Sequence, residues 1–227
     1  MSNFDSNGGA DFDWDDRGDL AWNEFDWERY LREQDDAIER YLKFYDACRE
    51  SASRLDEVAE KMNWSHDDWT DDGETAEVEA DDDEDDDFEQ PQDVYTLHKN
   101  PIFIATKAIH LGLTRSWQEL GSDAAKVPQS LAVALLQSLH GGEAHAIQAI
   151  HALDFGDYAM AVSLFKRALS ALNNSFALLN ADAVTASPEL TTWRDQALPR
   201  LFDVREIWLR VMAECRSELD RPMDDEN

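Results

Sequence analysis

The sequence predicts an all-α protein: a helical bundle of four to six helices, preceded by a long N-terminal amphipathic helix and disordered acidic segments. Three observations carry this. No stretch alternates apolar and polar residues as a half-buried strand does. Residues 22–63 hold an apolar stripe spaced alternately four and three apart, uninterrupted by glycine or proline. Two later dipeptides, Asn100-Pro101 and Ser187-Pro188, pair a helix-capping residue with a proline suited to the first turn.

The expected organisation, in chain order, starts with an acidic and aromatic arm over 1–21. Phe12 and Trp14 stand there among Asp, Asn and Gly, a composition that favours ordering on a partner or a solvated tail over a fold of its own. The long helix follows over 22–63. Its stripe runs Trp27, Leu31, Gln34, Ile38, Tyr41, Tyr45, Cys48, Ala52, Leu55, Ala59 and Met62, an a/d pattern that must lie against another surface. Its own domain is the first expectation for that surface, and a second copy of the chain is the alternative. Pairs such as Asp36–Arg40 and Glu39–Lys43 stand at i,i+4 on the polar faces. Residues 64–92 read as a disordered acidic linker, because the seven adjacent carboxylates of Asp81–Asp87 repel one another. They lack the glycine and the closing glutamate of a calcium loop.

Residues 93–220 read as the bundle. A first helix runs from Asn100 to about Leu120, apolar around much of its circumference and therefore central. A second starts near Pro128 and is expected to break or kink at Gly141-Gly142. A third spans Glu143–Leu153 and ends at Phe155-Gly156. A fourth runs from Asp157 to about Asn180. The last begins at Ser187-Pro188, with Pro199 expected to kink or restart it. Residues 221–227 form a polar tail.

Charge is divided unevenly along the chain. Residues 1–92 carry 33 Asp and Glu against 8 Lys and Arg, whereas residues 93–227 carry 17 against 12, within a total net charge of −30. The first part is a polyanion and the second an ordinary domain surface. Salt adaptation would coat both parts, so the split favours a local role for the acidity. Such a surface repels phosphate, and direct nucleic-acid binding is not expected. No apolar run approaches the span of a bilayer, and no signal peptide is read at the start, so a cytoplasmic protein without membrane attachment is expected. Two cysteines, Cys48 and Cys215, cannot define a disulfide framework and read as reduced, packed thiols.

The search for chemistry leaves no catalytic motif: there is no Gly-x-Ser-x-Gly, no Cys with a neighbouring His, and no phosphate loop. No cofactor is expected. One histidine-rich cluster remains, with His98, His110, His140, His145 and His151 near Glu143 and Asp154. A metal or small-ligand site built on His140, Glu143, His145 and His151 is the alternative reading. Its order, His-x-x-Glu, reverses the Glu-x-x-His of carboxylate-bridged bundles. The primary expectation is a noncatalytic interaction or regulatory protein whose acidic arm binds a basic protein partner. Its contact elements are Phe12, Trp14, Trp22, Trp64, Trp69 and the run Asp81, Asp82, Asp83, Glu84, Asp85, Asp86 and Asp87. A homo-oligomeric structural protein, a homodimer through the long helix, is the third reading. Finally, Gly156-Asp157-Tyr158 followed by Ala161, Phe165, Ala168 and Leu169 resembles the second helix of a tetratricopeptide repeat. The preceding helix carries His145, Gln148 and Ala152 where that family has large apolar residues, and no second copy follows, so the family is not assigned.

Overall fold

Asn100 accepts a hydrogen bond from the Phe103 N–H at 3.0 Å, with Pro101 in the first turn, and this cap starts α3 (Pro101–Gly121). Ser187 caps α7 (Pro188–Asp220) in the same way, accepting from the Leu190 N–H at 3.3 Å. The computed structural model describes residues 22–64 and 100–221. Among these residues there are seven helices and no strand. The others are α1 (Glu24–Ala47), α2 (Arg54–Lys61), α4 (Gln129–Asp154), α5 (Tyr158–Leu179) and the short α6 (Asp182–Thr185).

Four of them, α3, α4, α5 and α7, close into an up-down-up-down bundle. Paired contacts at two levels fix the directions at three of the interfaces, and the short Phe155–Asp157 connection fixes that of α4 and α5. Lys107 meets Glu143 at 2.8 Å while the Trp117 indole donates to the Ala132 carbonyl at 3.0 Å, so α3 and α4 are antiparallel. Phe165 lies against Trp208 and Phe176 against Phe202, so α5 and α7 are antiparallel. Trp208 donates to Thr106 and Trp193 to Ser116, which closes the ring between α7 and α3. Between α4 and α5, the Ser138 hydroxyl donates to the Ala171 carbonyl at 2.7 Å and accepts from Ser175 at 2.9 Å. These buried hydroxyls are therefore satisfied. As expected for a central helix, α3 buries every residue from Pro101 to Thr106 and contacts α1, α4 and α7.

The helix boundaries depart from the sequence reading in three places. Gly141-Gly142 does not break the chain: α4 runs through it to Asp154. Each helical glycine costs about 1 kcal/mol relative to alanine. Leu135, Leu139, Ala146, Ala149 and Ile150 are buried on either side, and a single buried leucine outweighs one such cost at about 2 kcal/mol. Pro199 does not restart α7. It sits on the exposed side, as does Asp195, the residue whose carbonyl it leaves unbonded. Leu201, Val204, Ile207 and Trp208 beyond it hold the helix on the core. Third, the helix expected over 22–63 is two helices. Between α1 and α2, the Ser51 and Ser53 hydroxyls donate to the Glu57 carboxylate at 2.5 and 3.0 Å. Side-chain bonds of this kind offer the backbone an alternative to the helix.

Both cysteines are buried and unpaired, and burial pushes the Cys215 thiol up to about 11. No described helix is long and apolar enough to cross a membrane.

Candidate interaction surface

The helix α1 has two halves of different character. Its start is fixed by a capping box: the Asn23 side chain accepts from the Phe25 and Asp26 N–H groups, and the Asp26 carboxylate accepts from the Asn23 N–H at 3.2 Å. Its second half is fastened to the bundle. Ala37, Ile38, Tyr41, Leu42 and Tyr45 are buried. The Tyr45 hydroxyl donates to the Asp203 carboxylate of α7, which Arg54 of α2 also grips through Nε and, at 2.6 Å, Nη2. Burial and the Asp203 charge both push the Tyr45 hydroxyl well above the ordinary tyrosine range. At the periphery, Arg115 pairs with Glu39 at 2.6 Å and Arg200 with Asp46 at 2.7 Å. The Glu39 carboxyl is lowered by its hydrogen bond from Arg115. Glu39 therefore turns to α3 for its cation and makes no 4.0 Å pair with Lys43.

The first half buries nothing: no residue from Glu24 to Asp36 is buried. Its aromatic side chains pack on one another instead. Trp22, Trp27 and Tyr30 form an edge-to-face cluster, with ring centroids 4.8 Å apart for Trp22–Trp27 and 5.5 Å for Trp22–Tyr30. Phe25 is 76% exposed, Trp27 53% and Leu31 48%. Around them stand six carboxylates and two guanidiniums between residues 22 and 36. Both arginines are engaged by neighbours, Arg29 with Asp26 at 3.3 Å and Arg32 with Glu28 at 2.8 Å. The result is an apolar, aromatic helix face with a negative surround.

Trp64 reaches a different environment. The helix α2 ends in a Schellman turn: Asn63 takes a left-handed φ of 58°, and the Trp64 N–H bonds back to the Ala59 carbonyl at 3.0 Å. This lays the Trp64 ring on Tyr41, stacked at 5.5 Å and 23°. Trp64 is then a wall of a cleft of about 470 Å3 between α1, the end of α2 and the start of α3. A second cleft, of about 410 Å3, lies between α1, α3 and α4, with Ile38 and Leu111 among its lining. Its lysine and arginine are committed, Lys107 to Glu143 and Arg115 to Glu39.

Of the contact residues expected from sequence, Trp22 joins the exposed cluster and Trp64 the cleft. Phe12, Trp14, Trp69 and the run Asp81, Asp82, Asp83, Glu84, Asp85, Asp86 and Asp87 lie outside the described residues. Of the histidine set, His98 lies outside the described residues, and the others are dispersed. His140 and Glu143 line the second cleft, where Glu143 is bound to Lys107. His145 is half-buried, with Nδ1 shielded from solvent, and His151 is exposed, 3.9 Å from Asp154. His110 is a core residue, stacked on Trp208 at 5.7 Å and bonded through Nδ1 to the Thr106 carbonyl at 2.9 Å. Burial holds its pKa below the ordinary histidine value. Among the described residues, no three of His, Cys, Asp and Glu come together as a metal centre requires.

Phe25, Tyr30 and the exposed part of the stripe were not singled out from sequence as contact residues. Trp27 and Leu31 carry the same a/d signal as the buried Ile38 and Tyr41, and only the tertiary contacts separate them. The tetratricopeptide-like residues Ala161, Phe165 and Ala168 are buried core positions of α5, most of it packed along α4 and α7. Close packing of two antiparallel helices accounts for their small-large spacing. Comparison with family models, with curated proteins and with solved structures found no match to this chain.

Proposed function

We propose that this is a noncatalytic interaction protein that binds a basic protein partner through its acidic N-terminal part, with the first half of α1 as a contact element. The observation that carries the reading is the uncovered face of Trp27 and Leu31, with Trp22 and Tyr30 packed beside Trp27, on a helix half that gives nothing to the bundle core; Phe25 is exposed on another side of the same turns. Large apolar side chains gathered on an exposed helix face mark an interaction site more often than an ordinary surface. The surrounding carboxylates select the sign of the partner. They raise the encounter rate with a cationic surface, and the aromatic rings, once covered, slow its departure.

Self-association fits the same face less well. The second half of the α1 stripe is already buried within the chain, so a partner finds only the first turns. In an antiparallel pair of copies, Glu28 and Asp35 along one edge of the stripe would face their own kind.

The test is affinity capture from host extract with the full chain and with a Phe25→Ser/Trp27→Ser variant, at low salt and at about 1 M salt, where the Debye length shrinks to about 3 Å. A basic protein held by the wild type at low salt, released by salt and not held by the variant is the expected result. Equal capture by both proteins would remove α1 from the contact surface. Capture that is indifferent to salt would remove the electrostatic part of the reading.

A further inference from the structure

We infer that the outer groove between α5 and α7 is a second docking surface, built for an acidic amphipathic helix of a partner protein. It is separate from the α1 face and opposite to it in charge. Two stripes of side chains line it. On α5, Lys166, Leu169 and Phe176 share one side of the helix at i, i+3 and i+10; on α7, Phe202, Arg205 and Leu209 do so at i, i+3 and i+7. The Phe176 and Phe202 rings meet with centroids 4.9 Å apart, so the two stripes lie side by side. The Phe165–Trp208 contact continues the same antiparallel register and brings Lys166 within about one turn of Leu209. Phe202 is 51% exposed and Leu209 36%, with Leu169 and Phe176 half-buried beside them. The groove therefore keeps an apolar floor in water.

Charge selects the occupant. In a chain of net charge −30, α5 is the one described helix without an Asp or Glu, and it holds Lys166 and Arg167. Lys166 and Arg205 are exposed and form no ion pair among the described residues. The neighbouring Glu206 is already taken by Arg210 at 3.0 Å. Free positive charge thus stands on both sides of the apolar floor. Phe202 and Leu209 are seven residues apart, about 10.5 Å along the axis, which is the two-turn spacing of apolar residues on a partner helix. Carboxylates along the edges of that helix would meet Lys166 and Arg205. A bare polyanion, nucleic acid included, brings charge without the apolar face, and the net charge of the chain repels it at long range. A basic helix matches the floor and is repelled at both edges.

The test is fluorescence anisotropy of a labelled, amidated peptide of leucine and glutamate, with leucine at i, i+3, i+4 and i+7, titrated with the full-length protein at about 0.15 M salt. Its scrambled isomer and polyglutamate of the same length are run beside it. Saturable binding of the amphipathic peptide alone is expected. Lys166→Gln/Arg205→Gln should weaken it about tenfold, the loss of one charge-assisted hydrogen bond, and Phe202→Ser/Leu209→Ser should weaken it by a similar factor. Lys43→Gln/Lys61→Gln, which removes two exposed cations on α1 and α2, should leave it unchanged. If that control weakens binding as much as the groove variants, the effect is one of net charge and the proposal is overturned. If the scrambled isomer or polyglutamate binds as tightly, the groove reads charge alone and the proposal is again overturned. Two results would assign the groove to another occupant and overturn the partner-helix reading: a wild-type dimer in sedimentation that the peptide dissociates would mean a second copy, and binding that emerges only in Phe12→Ser/Trp14→Ser would mean the chain's own arm. No saturable binding to any of these proteins would end the proposal and leave the α1 reading untouched.

Discussion

Asp203→Asn should destabilise the protein by about 3 kcal/mol. The carboxylate holds the α1–α2 segment to α7, accepting from the Tyr45 hydroxyl and from two nitrogens of Arg54. The two ion-pair side chains are only 17% and 12% exposed. Removing one member of a buried pair costs about 3–5 kcal/mol, because the other is left without its counter-charge. Arg54 keeps a further acceptor in the Pro199 carbonyl at 3.2 Å, which places the loss at the lower end of that range. With a urea slope of about 2 kcal/mol per molar, the unfolding midpoint falls by about 1.5 M.

The same network makes a second, opposite prediction. Replacing all three groups at once, Tyr45→Phe/Arg54→Met/Asp203→Leu, leaves no buried polar orphan in the network. A well-packed apolar substitute for a buried ion pair is often neutral or stabilising. The triple variant should therefore be more stable than Asp203→Asn alone. Urea denaturation followed by circular dichroism reads both. If Asp203→Asn loses less than about 1 kcal/mol, the range of an exposed pair, the network does not hold α1 and α2 in place. If the triple variant is the less stable of the two, the penalty is one of packing and the charge argument is wrong.

Three further outcomes follow from single residues. His110 has a folded pKa below its unfolded value of about 6.5, because burial outweighs the opposing pull of Glu143. Between those two values the unfolded chain binds more protons, so stability is unaffected above about pH 7 and falls on acidification by up to about 1.4 kcal/mol per pH unit; thermal melts of His110→Phe should show a shallower decline from pH 6.5 to 5 than the wild type, and parallel declines would exclude His110 as the source. At Gly141 a Cβ meets nothing within 4 Å, so Gly141→Ala should add about 1 kcal/mol and raise Tm by about 3 °C; a lowered Tm would mean that α4 is interrupted there. Asn63→Gly should be nearly neutral and Asn63→Val should cost about 1–2 kcal/mol, since position 63 has a φ of 58°. Equal denaturation midpoints for the two variants would remove the turn that sets Trp64 in place.

What the sequence disclosed was governed by local rules. The caps at Asn100 and Ser187 need only their own neighbours, and both were legible because the hydrogen bond and the proline act within one turn. Gly141-Gly142 was misread because local propensity and core burial compete there. The sequence shows the first, while the second depends on α3, α5 and α7 closing around α4. The α1–α2 turn was invisible for a different reason. It is made by the hydroxyls of Ser51 and Ser53 finding Glu57, without the glycine or proline that usually marks a stop, and the a/d stripe resumes in nearly the same phase beyond it.

The tryptophans show why the candidate surface was only half legible. Trp22 and Trp64 are the same residue type in equally acidic stretches, and composition assigns them one role. Their surroundings separate them: Trp22 sits on a helix half with no core to join, while a left-handed residue turns Trp64 back onto Tyr41. That difference divides the work within α1. Its second half spends Tyr41, Tyr45 and Glu39 on attachment to the bundle, and its first half leaves Phe25, Trp27 and Leu31 uncovered. Substitutions in the first half can therefore alter recognition while leaving the bundle intact, and substitutions in the second half should alter both together. Phe25→Ser/Trp27→Ser should keep the wild-type urea midpoint within the experimental error. A large fall in that midpoint would show that the exposed face belongs to the folded core after all, and would take the interaction reading with it.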